Sequence, residues 1–83
     1  MKLPIIRQFY QNQTPENLET ALEVLESFSE FRGTTEEDLN VVGEMITDIC
    51  GALEVHQNVK NGMSEREALN GFAQKVLGSI DKN

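Results

Sequence analysis

The stretch TEEDLNVVGEMITDICGALEVHQNVKNG, residues 35–62, decides the fold of this chain. Thr35 can cap a helix with its hydroxyl, and the three acidic residues after it complement the positive end of a helix dipole. Asn61 and Gly62 form a typical helix stop. The apolar positions between these ends share an arc roughly 180° wide: Leu39, Val42, Met45, Ile46, Ile49, Ala52, Leu53, His56 and Val59. Such a wide arc predicts contact with at least two other helices.

The length of this predicted helix is large for so short a chain. Some 25 residues at 1.5 Å each span about 37 Å. A compact chain of 83 residues is expected to have a radius of gyration near 12 Å, so the two dimensions fit poorly. We therefore expect the helix to protrude, to bend near Gly51, or to pack against a second chain.

A second helix is predicted before it, with Thr14 as N-cap, Pro15 at its first position and Arg32-Gly33 as its stop. Its inner stripe covers about 120° of arc and consists of Leu18, Ala21, Leu22, Leu25 and Phe28. A helix after residue 64 is predicted from the capping box of Ser64 and Glu67. Its inner face consists of Leu69, Phe72, Ala73, Val76, Leu77 and Ile80.

The N-terminal segment is ambiguous between strand and helix. Its apolar residues Leu3, Ile6 and Tyr10 suit a short helix after Pro4 at least as well as a strand. The sequence shows no internal repeat or linker. It therefore predicts an all-α fold in one domain over residues 1–83: a small helical bundle of three main helices plus a short N-terminal helix.

Charge and composition exclude several classes of function. Fourteen Asp and Glu against seven Lys and Arg give a net charge of −7. A uniformly acidic domain binds nucleic acid and anionic membranes poorly, so neither is an expected partner. No apolar stretch approaches the roughly 20 residues of a membrane span. With a single cysteine and no signal-peptide pattern at the N-terminus, the protein is predicted to be cytoplasmic.

The residue types that support catalysis are scarce. Cys50 and His56 lie about 120° apart around one helix, which is awkward for a Cys–His dyad. Cys50 is expected to be a small, semi-buried apolar residue. His56 is expected to be a buried imidazole bonded to a carbonyl or to Tyr10, with a pH-sensitive or metal-binding role as the alternative. Leu53 stands where a Glu-x-x-His motif needs glutamate. The sequence thus predicts no enzyme, no catalytic residue, no cofactor and no metal site.

Two surfaces invite functional hypotheses. The acidic strip lies on one side of the second helix, opposite its apolar stripe, and consists of Glu16, Glu19, Glu23, Glu26 and Glu30. Like charges at these spacings repel by some tenths of a kcal/mol per pair. The strip is either a solvated face or a docking site for a basic partner. As a docking site, it could mimic the phosphate backbone of nucleic acid and so block a nucleic-acid-binding protein.

The glycines of the last two helices suggest another surface. Each costs up to about 1 kcal/mol relative to alanine inside a helix. A close crossing by a helix of a second copy would explain them, and so would simple tolerance, with Gly78 as a C-cap. The partner surface that these glycines suggest is called the glycine surface and consists of Gly43, Thr47, Gly51, Glu54, Gly71 and Gly78.

Four short runs of the sequence resemble a known family: MKLPII at residues 1–6, GALEVH at 51–56, EALNGF at 67–72 and VLGSID at 76–81. This family comprises short bacterial proteins classed only as a domain of unknown function. The resemblance implies a small helical cytoplasmic protein. It also implies genes near those of thioredoxin or peroxiredoxin, and hence a redox-protein partner as one option.

These observations favour a protein that works by association, as a homodimer or a small adaptor, without chemistry of its own. The third helix and the glycine surface are the expected contact regions. The alternatives are an acidic inhibitor that docks its strip on a basic protein, and an accessory protein to a redox system.

Overall fold

The computed structural model describes residues 3–81, with the side chains of residues 3–75. It contains four helices and, over these residues, no strand: α1 (Leu3–Asn12), α2 (Pro15–Ser29), α3 (Glu36–Lys60) and α4 (Glu65–Asp81). The predicted all-α fold of three main helices and a short N-terminal one is therefore confirmed. The ambiguous first segment is helical.

The N-terminal ends of α2 and α3 follow from local hydrogen bonds. The Thr14 hydroxyl accepts a hydrogen bond from the backbone N–H of Asn17, and Pro15 takes the first helical position. Thr35 and Asp38 form a reciprocal capping box, in which each side chain accepts a hydrogen bond from the backbone N–H of the other. Both caps use donors that a helix start otherwise leaves unpaired.

The turn between α3 and α4 forms a Schellman motif. The backbone N–H of Met63 donates to the carbonyl of Asn58, and that of Gly62 donates to the carbonyl of Val59. Gly62 has a φ of 111°, which residues with a Cβ rarely adopt. Ser64 then caps α4 by accepting from the Glu67 backbone N–H, while the Glu67 carboxylate accepts from the Ser64 hydroxyl instead of its backbone N–H.

Helix α3 is the centre of the molecule, and the other three helices pack on it. The buried apolar core joins all four helices: Ile6, Leu18, Ile49, Ala52, Val55, Ala68, Leu69 and Phe72. Helix α3 thus contacts all three other helices, in agreement with the predicted contact with at least two. Asp48 is also buried on α3, and its Oδ1 accepts no hydrogen bond from the described residues.

The inner faces of the flanking helices agree with their patterns in most positions. Leu18 of α2 is buried, and Leu22, Leu25 and Phe28 are half-buried, whereas Ala21 is exposed. On α4, Leu69 and Phe72 are buried and Ala73 is half-buried. The predicted inner residues Val76, Leu77 and Ile80 lie outside the side chains that the structure describes.

The molecule is flat, with extents of 42 × 34 × 17 Å. Its radius of gyration is 13.7 Å, above the value near 12 Å expected for a compact chain of this length. The N-terminal half of α3 has less cover than its centre. Leu39, Val41 and Met45, all in that half, are exposed by 42%, 62% and 41%. The structure therefore confirms that α3 is long for a compact chain of this length.

Candidate docking groove

An open groove of about 410 Å³ lies between α1, α2 and α3. Its lining residues come from all three helices: Phe9, Gln13, Asn17, Leu18, Ala21, Val24, Leu25, Met45 and Ile49. We call this the neutral groove, because none of these residues carries a charge. The absence of charge from this lining contrasts with the chain as a whole, in which 25% of the residues are charged.

Two large apolar side chains in the lining of the neutral groove are exposed to solvent. Val24 on α2 is 63% exposed and Met45 on α3 is 41% exposed. Val41, Met45 and Ile49 follow one another at intervals of four and therefore lie on one face of α3. The exposed Val41 extends the apolar surface beyond the groove toward the N-terminal end of α3.

Sequence reasoning missed this site. Val24 lies outside the apolar stripe of α2, between the stripe and the acidic strip, so its pattern resembles a solvated position. Phe9 was not assigned to any face. Met45 was assigned to the buried arc of α3, but the described helices leave it partly open. The one signal in the sequence was Val24 itself, an apolar residue at a helix position that the pattern assigns to solvent.

A second groove of about 440 Å³ lies between α1 and the start of α4 and carries charge. Arg7, Glu65 and Arg66 are among its lining residues. The Glu65 carboxylate accepts a hydrogen bond from Gln11 at 2.8 Å and lies 4.0 Å from the Arg7 guanidinium. These contacts join α1 to α4 and give the groove a structural role.

The structure corrects the glycine surface at Gly51. This residue is buried, and a Cβ there would lie 2.9 Å from the Phe72 ring and 3.0 Å from Ile6. The close crossing that its glycine permits is therefore made by α4 and α1 of the same chain, not by a second copy. Gly51 is not available as a partner surface because neighbouring side chains already cover it.

The other members of the glycine surface differ in their surroundings. Gly43, Thr47 and Gly71 are exposed, and a Cβ at either glycine would meet no atom within 4 Å among the described residues. Glu54 is half-buried and forms an ion pair with Lys75 at 3.0 Å. Gly78 lies in the part of α4 whose surroundings fall outside the described residues. Among the described side chains, Gly43, Thr47 and Gly71 are therefore the exposed members of the glycine surface.

All five residues of the acidic strip are exposed; four lie on α2, and Glu30 follows its last residue. None of its five carboxylates forms an ion pair with a side chain of residues 3–75. The glutamates face away from the apolar stripe of α2, as their spacing predicts. The strip is therefore exposed to solvent, and no basic side chain of residues 3–75 forms an ion pair that would neutralise it.

The imidazole of His56 has the structural role that was predicted for it, but it is half-buried, not buried. Its Nε2–H donates to the carbonyl of Gln13 at 3.0 Å, just after the end of α1. The ring lies against Tyr10, with ring centroids 4.5 Å apart. His56 thereby pairs a carbonyl that the helix end leaves without an intrahelical donor.

Cys50 is exposed, which corrects the expectation of a semi-buried residue. Partial burial of the sulfur, and then the negative charge of Glu26, raise the pKa of the Cys50 thiol above its ordinary value. A thiol with a raised pKa holds less of the reactive thiolate at neutral pH. Both causes therefore act against a nucleophilic role for Cys50.

Over residues 3–75, no three His, Cys, Asp or Glu side chains come together in a way that could hold a metal ion. Among the helices of residues 3–81, none combines the length and apolar character needed to cross a bilayer. Over residues 3–81 the chain is thus a small acidic protein of four helices, and the neutral groove lies between three of them.

The comparison with known families agrees with the resemblance in the sequence. The model of a family of unknown function, DUF6952, matches residues 1–81. The chain therefore belongs to this family. No curated protein and no solved structure matches the chain.

Proposed function

We propose that this protein is a non-catalytic association module whose neutral groove binds the apolar face of a protein helix. The observation that carries the proposal is the uncharged lining of the groove together with the exposure of Val24 and Met45. A groove between helices that presents apolar side chains at helical spacing is a common docking site for an amphipathic helix.

The extent of the apolar surface favours a protein over a small ligand. A small molecule seated in about 410 Å³ would leave Val41 and much of Val24 in water. A helix laid along α3 would cover both, because Val41 lies one turn before Met45 on the same face. Burying apolar area contributes about 25 cal/mol per Å² before the costs of association.

The proposed setting is the cytoplasm. A single cysteine cannot form a disulfide within the chain, and a reducing compartment keeps its exposed thiol free. Association through an uncharged groove also tolerates cytoplasmic salt, since salt screens charge pairs and leaves apolar contacts in place.

The test is capture from the cytosol of the source cell on the immobilised full chain, at about 0.5 M NaCl, where charge contacts are strongly screened. Wild type is compared with Val24→Glu and with the control Ser27→Glu, which adds the same charge at an exposed polar position of α2. We expect Val24→Glu to lose the bound protein, whether another protein or untagged copies of this chain, and Ser27→Glu to keep it. Equal capture by both variants would refute the proposal.

The acidic strip supports a second candidate function, docking on a basic protein. Its support is the set of five exposed glutamates that lack a counter-ion among the described residues. This mode predicts capture that disappears as salt rises from about 0.05 to 0.5 M. Glu19→Gln combined with Glu23→Gln would weaken it, while Val24→Glu would not.

A further inference from the structure

We infer that the chain seated on the neutral groove is a second copy of this protein, in a two-fold symmetric dimer. In this arrangement Val24 and Met45 of each copy lie against the groove of the other. The inference rests on the proposed function and names its partner.

The accessible surface of the chain exceeds the value expected for a monomer by about the area that one partner buries in a stable dimer. Its accessible surface is 5984 Å², whereas a folded monomer of 9.3 kDa is expected to expose about 5000 Å². The excess of about 1000 Å² is comparable with the roughly 800 Å² that each partner buries in a standard stable interface. A flat molecule 17 Å thick can bury that area on one broad face.

The distribution of charge on the surface favours a second copy of this chain as the partner. Each copy carries a net charge of −7, so two copies attract only through a surface that keeps their glutamates apart. The lining of the neutral groove provides such a surface. The acidic strip points elsewhere, with its centre roughly 120° around α2 from Val24. A basic partner would be attracted to the acidic strip, whereas a second acidic copy requires an uncharged surface.

The groove also has the shape that a two-fold contact requires. Such an interface uses the same patch on both chains, so the patch must contain both protrusions and recesses. Val24 and Met45 protrude, with 63% and 41% of their surface exposed. Ala21 also lines the groove, and in this dimer a side chain of the other copy packs against its short methyl group.

The test is sedimentation equilibrium of the purified full chain at about 100 µM, with wild type, Met45→Glu and Thr47→Glu compared. Both substitutions add one negative charge to α3. Met45 lines the neutral groove, whereas Thr47 belongs to the glycine surface on another side of α3. Val24→Glu serves as a second groove variant, and circular dichroism confirms that each variant remains helical.

We expect wild type and Thr47→Glu to sediment at twice the 9.3 kDa of the chain, and both groove variants to sediment as monomers. The dimer should persist or strengthen as salt rises, because salt screens the repulsion between acidic copies. A monomeric wild type would overturn the inference, while a groove-dependent capture of another protein would leave the proposed function standing. A dimer broken by Thr47→Glu but not by Met45→Glu would also overturn it.

Discussion

Gly51 lies so close to Phe72 that a Cβ on the glycine would be 2.9 Å from two carbons of the aromatic ring. The contact locks α4 onto α3 at the centre of the core, where Phe72 is 8% exposed. The glycine at this position is thus a requirement of packing within one chain. Glycine lowers the helix propensity at this position, but it allows α3 and α4 to approach each other closely.

Substitution of glycine by alanine should separate this packing role from simple tolerance. Gly43→Ala should raise the free energy of unfolding by up to about 1 kcal/mol, because alanine favours the helix and meets open space. Gly51→Ala should lose about 1–3 kcal/mol relative to Gly43→Ala, because the buried Phe72 ring must shift. Urea unfolding of the two variants measures the difference. Equal effects would show that the Gly51 contact is not tight.

Asp48 should be a destabilising residue of the core. Its side chain is 4% exposed, and Oδ1 accepts no hydrogen bond from the described residues. Asp48→Leu, which removes the buried polar group at similar volume, should raise the free energy of unfolding by about 1–3 kcal/mol. Glu44→Leu, at an exposed position one turn earlier, should change it by less than about 0.5 kcal/mol. A loss of stability in Asp48→Leu would contradict this account and indicate a favourable role for the carboxylate.

Gly62 should resist replacement for a backbone reason. Its φ of 111° lies in the region that a Cβ disfavours, although a Cβ there meets no atom within 4 Å among the described residues. Gly62→Ala should therefore lower the free energy of unfolding by about 1–2 kcal/mol. Gly71→Ala, at an exposed helical position with the same open space, serves as the control and should not. Thermal unfolding of both variants is the measurement. A loss of stability in Gly62→Ala alone indicates backbone strain, because a Cβ has open space at both positions.

Alkylation of Cys50 should report its raised pKa. The thiolate is the reacting form, so a raised pKa lowers the rate with iodoacetamide at pH 7.5 or so, relative to a free cysteine. The rate should rise with pH toward a midpoint above the ordinary thiol value. Glu26→Gln should move that midpoint down and speed the reaction, while Glu19→Gln should not. The midpoint should stay above the ordinary value in Glu26→Gln, since burial is the larger cause.

The ends of α3 could be predicted from the sequence because their causes are local. Thr35 with Asp38, and Asn61 with Gly62, act through hydrogen bonds and φ angles within a few residues. The pairing of His56 with a carbonyl was also predictable, because a half-apolar ring on a core face needs a partner. The all-α fold followed from these signals and from the apolar periodicity.

The partners of each helix face could not be predicted in the same way. The helical wheel placed Gly51 beside the polar arc, but only the crossing of α1 and α4 shows that Ile6 and Phe72 cover it. Val24 and Met45 fall on different helices, and nothing local indicates that they line one groove. Contacts between helices depend on crossing positions, which a single sequence does not encode in its periodicity.

The central claim is that two copies of this protein associate through the neutral groove. Intermolecular nuclear Overhauser effects in a mixture of isotope-labelled and unlabelled chains test it most directly. The account predicts such effects at the methyl groups of Val24 and Met45, and none at the methyl group of Thr47 or of the buried Ala68. Effects at Thr47 without any at Val24 or Met45 would contradict it.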